Sequence, residues 1–202
     1  LSGWRERGFY GLAYRVKKDI EGKDLGVRLN KTLDYEIDVL EHQFARNGVE
    51  TLAGAARFTD LHHIEIDSHD GEKVTVEGRR FVIAVGTSPH RPAHIPFDGE
   101  KVCDSDDIVL TKRVPRSLVV VGAGVIGVEY ATIFSALDVP VTIIEPREGF
   151  LEFIDREIMG EFVHDLRNRG VSLRLGVSVE RVDFMPNGDP VAVLSDGRQI
   201  KS

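Results

Sequence analysis

One run of residues constrains this chain more than any other: Val119-Val120-Val121-Gly122-Ala123-Gly124-Val125-Ile126-Gly127. An all-apolar stretch, Leu118–Val121, leads into G-x-G-x-x-G, and an apolar helical pattern follows over 125–137. A second apolar stretch comes at 140–144. Standing alone the glycine motif is a weak signal, but inside a β-α-β unit of about 30 residues it marks a dinucleotide site. Each glycine has its own physical task. Gly122 permits the tight strand-to-helix turn, Gly124 lacks a Cβ so that a pyrophosphate can approach the backbone, and Gly127 lets helix and strand pack closely. Free N–H groups and the positive end of the helix dipole then attract phosphate charge. Gly122, Ala123, Gly124, Val125, Ile126 and Gly127 are therefore candidate cofactor-binding residues.

The second apolar stretch ends in Ile143-Ile144-Glu145-Pro146-Arg147. Glu145 lies 23 positions after Gly122, close to the spacing of about 20 at which an acid meets the adenosine ribose. A carboxylate there accepts both ribose hydroxyls, favours NAD and repels the 2′-phosphate of NADP. Arg147, two residues on, could reach such a phosphate. Glu145 and Arg147 together leave the choice between NAD and NADP open. The blander alternatives are a strand-end acid and a solvated loop arginine.

The rest of the chain divides by period. Residues 1–21 show none and read as irregular. From Lys23 to Phe44 apolar residues recur every three or four positions, which predicts an amphipathic helix ending near Asn47-Gly48. Strands are predicted at 49–58, His63–Asp67, 73–76 and 80–85, with a hairpin at Asp70-Gly71. The stretch 86–99 holds Pro89, Pro92 and Pro96 and reads as loop. Asp104-Ser105-Asp106-Asp107 is an acidic N-cap cluster before a short helix. After the glycine unit, 155–169 reads as an amphipathic helix and 171–175 as a third strand. Strands at 177–184 and 191–194 flank a hairpin at Pro186-Asn187-Gly188. The expected fold class is α/β: a Rossmann-like domain, parallel sheet with β-meander, over 113–202, preceded by another partial domain and a connecting segment over 1–112.

Composition excludes several classes. The 202 residues carry 26 basic and 33 acidic side chains, a formal charge of −7, whereas a nucleic-acid partner needs clustered Lys and Arg. No apolar run approaches the ~18 residues of a membrane span, and 1–10 lacks a secretory pattern, so a cytoplasmic protein is expected. The single cysteine, Cys103, excludes an internal disulfide and a cysteine-rich zinc site in this chain. Its neighbours Asp104 and Asp106 are expected to raise its pKa. The seven histidines lack metal-ligand spacing.

Three segments taken together resemble the pyridine nucleotide-disulfide oxidoreductase family. Phe81-Val82-Ile83-Ala84-Val85-Gly86-Thr87-Ser88-Pro89 resembles the "ATG-x-x-P" strand end of its two-dinucleotide flavoproteins. Asp104-Ser105-Asp106 resembles their connecting segment. Gly122-Ala123-Gly124-Val125-Ile126-Gly127-Val128-Glu129-Tyr130-Ala131 resembles their nicotinamide-nucleotide fingerprint, in the wording most similar to the soluble pyridine nucleotide transhydrogenases. The resemblance implies that 1–112 hold the C-terminal part of an FAD-binding domain and the connecting segment, and 113–202 a truncated domain that binds NAD or NADP. It also implies hydride exchange between NADPH and NAD through the flavin, and a homodimer formed through a C-terminal domain.

By position, the resemblance assigns Glu145 to the adenosine ribose, Val179 to an adenine contact on the backbone, and Glu129 to a catalytic neighbourhood beside the flavin. Ala84, Val85 and Gly86 match the segment that passes the FAD, and Ala56 matches its adenine contact. Two positions depart from the pattern: the threonine of "ATG" is Val85, and the aromatic gate after the second glycine is Val125. A disulfide-reducing relative would need a C-x-x-x-x-C, which this chain lacks. Its first FAD fingerprint is also lacking, so the chain resembles a middle portion, expected to be inactive alone. A dihydrolipoamide dehydrogenase-like enzyme and a non-catalytic NAD(P)-binding module stay open as alternatives.

Overall fold

The computed structural model describes residues 22–111, 113–149 and 151–202, and the irregular stretch expected at 1–21 lies outside them. Two compact units are present, one formed by Val27–Ser88 and the other built on Pro89–Ser202.

In the first unit, helix α1 (Gly22–Arg46) stops where the sequence places a left-handed residue. Gly48 takes φ +65°, and the Val49 N–H donates back to the Phe44 carbonyl at 2.9 Å. Leu33, Ile37, Leu40 and Phe44, the apolar stripe that predicts the helix, are all exposed. Strands β1 (Ala55–Phe58), β2 (His63–Asp67) and β3 (Lys73–Glu77) make an antiparallel meander. Gly71, φ +86°, serves the second hairpin. At the first hairpin the Asp60 carboxylate accepts the N–H groups of His62 and His63 at 2.7 and 2.9 Å.

Two expectations are corrected in this unit. The strand expected over 49–58 forms only at Ala55–Phe58. At Gly54 the backbone runs so close to β2 that a Cβ would sit 2.5 Å from the Asp67 carbonyl. The strand expected over 80–85 does not form. That stretch has the right side chains but no hydrogen-bonded neighbour among the described residues, and a strand exists only through its ladder. Val82 and Val85 are left 91% and 88% exposed, while Phe81 packs edge-on against Phe58, ring centres 5.1 Å apart.

The second unit has three layers. Its middle is a parallel sheet of β4 (Leu118–Val121), β5 (Val141–Glu145) and β6 (Ser172–Leu175), in that spatial order. Helices α3 (Val125–Ala136) and α4 (Arg156–Asn168) cover one face. The other face carries an antiparallel meander of β7 (Val179–Phe184), β8 (Pro190–Leu194) and β9 (Gln199–Lys201). Strand β5 shows why a continuous apolar run belongs in the centre. Ile143 packs with Ala131, Phe134 and Leu166 on the helical side, and its neighbour Ile144 with Val177, Ala192 and Leu194 on the meander side.

Helix α4 is delimited as its sequence requires. The Asp155 carboxylate accepts the Glu157 N–H at 2.9 Å, and Gly170 turns at φ +80°. A short helix α2 (Ser105–Ile108) is closed by a capping box between Asp104 and Asp107, and Arg91 bonds both carboxylates at 2.7 Å. Tyr130 Oη of α3 donates to the Ser105 carbonyl at 2.9 Å. Lys101 Nζ reaches Asp189 at 3.1 Å on the hairpin between β7 and β8. These bonds fasten the connecting segment to the unit, so the compact body begins well before residue 113.

Candidate nucleotide-binding site

Strand β4 delivers the chain to the glycine loop at the carboxyl edge of the parallel sheet, where open α/β sheets hold their ligands. The Gly122 N–H extends the ladder by one bond to the Ile144 carbonyl, 2.8 Å. Gly122 then turns with φ +101°, a conformation that L side chains adopt only under strain. Gly124 is the N-cap residue of α3, and no side chain caps this end. The leading N–H groups of α3 therefore face outward with the positive end of the helix dipole. A Cβ on Gly124 would meet no protein atom within 4 Å, so the free approach belongs to whatever lies outside the loop. Gly127 is different: a Cβ there would lie 2.2 Å from the Gly122 carbonyl oxygen and 3.2 Å from Val120. Gly122 thus makes the turn, Gly127 the close packing, and beside Gly124 the protein leaves open space.

Glu145 ends β5 with its side chain only 3% exposed. It accepts the Ala123 N–H at 2.8 Å and pairs with Arg147 through Nε at 2.7 Å and Nη2 at 3.1 Å. Its pKa falls to about 2, chiefly through the Arg147 guanidinium and next through the Ala123 N–H, against the opposing effect of burial. The carboxylate is ionised at any physiological pH and fixed beside the loop. Glu145 lies against the glycine loop and Arg147 against Glu145; reading the two from the sequence as separate candidates missed that they hold each other. The signal was their i, i+2 spacing across Pro146.

Val125 and Glu129 lie one turn apart on α3 and line an apolar cleft of about 270 Å³ with Leu151, Ile154, Met159 and Phe162. Leu151 is buried in the core while held at φ +53°, a left-handed conformation costing roughly 1 kcal/mol for a non-glycine residue. Leu151 and the α4 residues were not singled out from the sequence. Val179 opens β7 opposite Leu194, beside a bulge between Val179 and Arg181. In the other unit Ala56 lies on β1 opposite Ile66, and Ala84, Val85 and Gly86 lie outside any helix or strand and are exposed, with Gly86 at φ +69°.

Cys103 has a raised pKa, first because of burial, then because of Asp107, Asp104 and Asp98. The direction is as expected, but Asp107 acts where Asp106 was expected. No group of three metal-ligating side chains occurs among the described residues, and none of their helices is long and apolar enough to cross a membrane.

A glycine-loop β-α-β unit with an acid locked at the next strand end defines an α/β protein with a Rossmann-like parallel sheet. Residues 13–202 match the family model described as "Pyridine nucleotide-disulphide oxidoreductase", and the chain belongs to that family. It is 43% identical over 201 residues to a soluble pyridine nucleotide transhydrogenase of Mycobacterium bovis, covering 99% of this chain and 43% of that one. A protein of the same name from Azotobacter vinelandii is 42% identical over 159 residues, 79% of this chain and 34% of that one. Among solved structures, LpdA from Mycobacterium tuberculosis superposes with a TM-score of 0.88 at 23% identity, over 99% of this chain and 44% of that one. The flavoprotein disulfide reductase RclA from Escherichia coli gives 0.71 at 24% identity, over 87% and 40%. These last two show the fold alone. The chain spans less than half the length of these relatives.

Proposed function

We propose that this chain supplies the nicotinamide-nucleotide site of an FAD-dependent enzyme that passes hydride between NADPH and NAD. The observation that carries the reading is the glycine loop braced on Glu145. In this reading Gly122, Ala123, Gly124, Val125, Ile126 and Gly127 hold the pyrophosphate, Glu145 and Arg147 take the adenosine ribose end, and Val179 borders the adenine. The relatives' shared name, transhydrogenase, supports the choice of reaction.

The flavin is the group that would accept and return the hydride. This chain's residues fit it only in part. Ala56, Ala84, Val85 and Gly86 are small or exposed and can lie against a flat ring system, but they carry no charged donor for a second pyrophosphate. They would form one wall of its site; Glu129 on α3, in the other unit, is the acid that the family pattern assigns to the neighbourhood of the flavin. The complete site, and a homodimer in the cytoplasm, would then need sequence beyond these residues. A dihydrolipoamide dehydrogenase-like role stays open as the alternative; its cysteine pair would have to come from outside these residues.

Calorimetric titration of the 202-residue chain with NADH, NADPH and FAD tests the assignment. Both nicotinamide nucleotides are expected to bind, and binding should be lost in Gly124→Val. Mixing the chain with FAD and NADPH should leave the flavin absorbance unchanged. Absence of nucleotide binding would remove the proposed site; stoichiometric flavin reduction would show that the chain is sufficient by itself.

A further inference from the structure

The Glu145 carboxylate has no acceptor position left. Its Oε1 takes the Arg147 backbone N–H at 3.1 Å and Nε at 2.7 Å. Its Oε2 takes the Ala123 N–H at 2.8 Å and Arg147 Nη2 at 3.1 Å. An ionised carboxylate offers about four lone-pair sites, and four donors fill them. A ribose diol brings two more donors, so it cannot add to Glu145 in this arrangement.

Only the Arg147 side chain can leave, and it takes two of the four donors with it. The Ala123 N–H is part of the loop. The Arg147 backbone is pinned, because the Gly176 N–H donates to its carbonyl at 3.0 Å. The Arg147 side chain, by contrast, is 53% exposed and can swing out at the cost of one charge-assisted pair.

We infer that the Arg147 guanidinium is the resident occupant of the ribose subsite, and that its displacement sets the choice between nicotinamide nucleotides. A nucleotide with a free 2′-hydroxyl must expel Arg147 from Glu145 to place its diol, and it offers the arginine nothing in return. A nucleotide with a 2′-phosphate receives the same guanidinium, which turns from carboxylate to phosphate and lies between two negative groups. The pair thereby lets a site with a ribose-binding acid accept both kinds of cofactor. Glu152, whose charge also favours the protonated guanidinium, is a second acid toward which the expelled side chain can turn. The inference rests on the reading of residues 122–127 as the nucleotide loop.

The test is calorimetric titration of the 202-residue chain and of Arg147→Met and Arg147→Lys with 5′-AMP, adenosine 2′,5′-bisphosphate, NADH and NADPH. Arg147→Met keeps the aliphatic stem and removes the plug. It should bind 5′-AMP and NADH about fivefold more tightly, and the two 2′-phosphorylated ligands at least about tenfold more weakly. Arg147→Lys keeps the charge without the bidentate grip, so it should gain less for NADH and lose less for NADPH. Unaltered circular dichroism would confirm that the variants fold. If Arg147→Met binds NADH no better than the unsubstituted chain while that chain binds both nucleotides, the inference fails and the site stands. If the unsubstituted chain binds neither, the nucleotide-site reading fails and takes the inference with it.

Discussion

Glu145 and Ala123 stand 22 positions apart, yet the buried carboxylate of one accepts the backbone N–H of the other at 2.8 Å. The end of β5 and the glycine loop are therefore one hydrogen-bonded piece. An acid that only waited for a sugar would face solvent; this one already holds the loop in shape.

Replacing Glu145 by Ala should accordingly act twice. It removes the ribose acceptor, so calorimetry should show NADH affinity falling at least about tenfold and NADPH affinity falling less. It also strands the N–H of fully buried Ala123, which should lower the unfolding free energy by about 1–3 kcal/mol in urea titrations. Equal losses for the two nucleotides would overturn the ribose role.

The same carboxylate makes stability depend on acid. Its folded-state pKa of about 2 lies below its ordinary value of 4.5, so the unfolded chain binds this proton more readily. The contribution is fully present above pH ~5 and is lost as pH falls toward ~2. With solvent access from the Arg147 side allowed for, it is on the order of 2 kcal/mol. Thermal melts across that window should show a drop that Glu145→Gln largely abolishes.

At Gly127 even a methyl group is too much. With a Cβ 2.2 Å from the Gly122 carbonyl oxygen, Gly127→Ala must push α3 away from β4. Nucleotide binding should be lost, along with roughly 1–3 kcal/mol of stability from overpacking. Gly124→Ala meets nothing in the protein and should keep full stability while weakening nucleotide binding. If the two variants behave alike in a melt, the division of labour among the glycines is wrong.

In the core, Leu166 of α4 is fully buried beneath the parallel sheet. Leu166→Ala should cost about 2–5 kcal/mol by leaving a cavity, measurable by denaturant unfolding. Ile158 on the same helix is largely exposed, and Ile158→Ala should stay within about 0.5 kcal/mol.

The parts of this molecule that were legible in the sequence are those whose cause is local. The β4–loop–α3 unit, the Asp155 cap, the Gly170 stop and the hairpin glycines each follow from a few adjacent residues. The stretch 80–85 was misread because alternation of side chains says nothing about whether a neighbouring strand is there to bond. Helix α1 was read correctly as a helix, but its stripe faces outward, since periodicity gives a face and not what covers it. The pairing of Glu145 with Arg147 lay in plain view as two candidates for opposite cofactors. Their mutual bond was hidden because spacing gives proximity and not orientation. The residues on α4 that close the apolar cleft come from a different helix, and no single-sequence pattern links them to α3.

The unequal depth of the two cores has a consequence for amide hydrogen exchange. In the first unit Ile66 is the buried apolar side chain, and its three strands are covered by little else. In the second, Ile143 and Ile144 anchor the helical layer and the meander to the two faces of one strand. The amides of β4, β5, β6 and β8 should exchange together, only when that whole body opens. Those of β1, β2 and β3 should exchange early, through local opening.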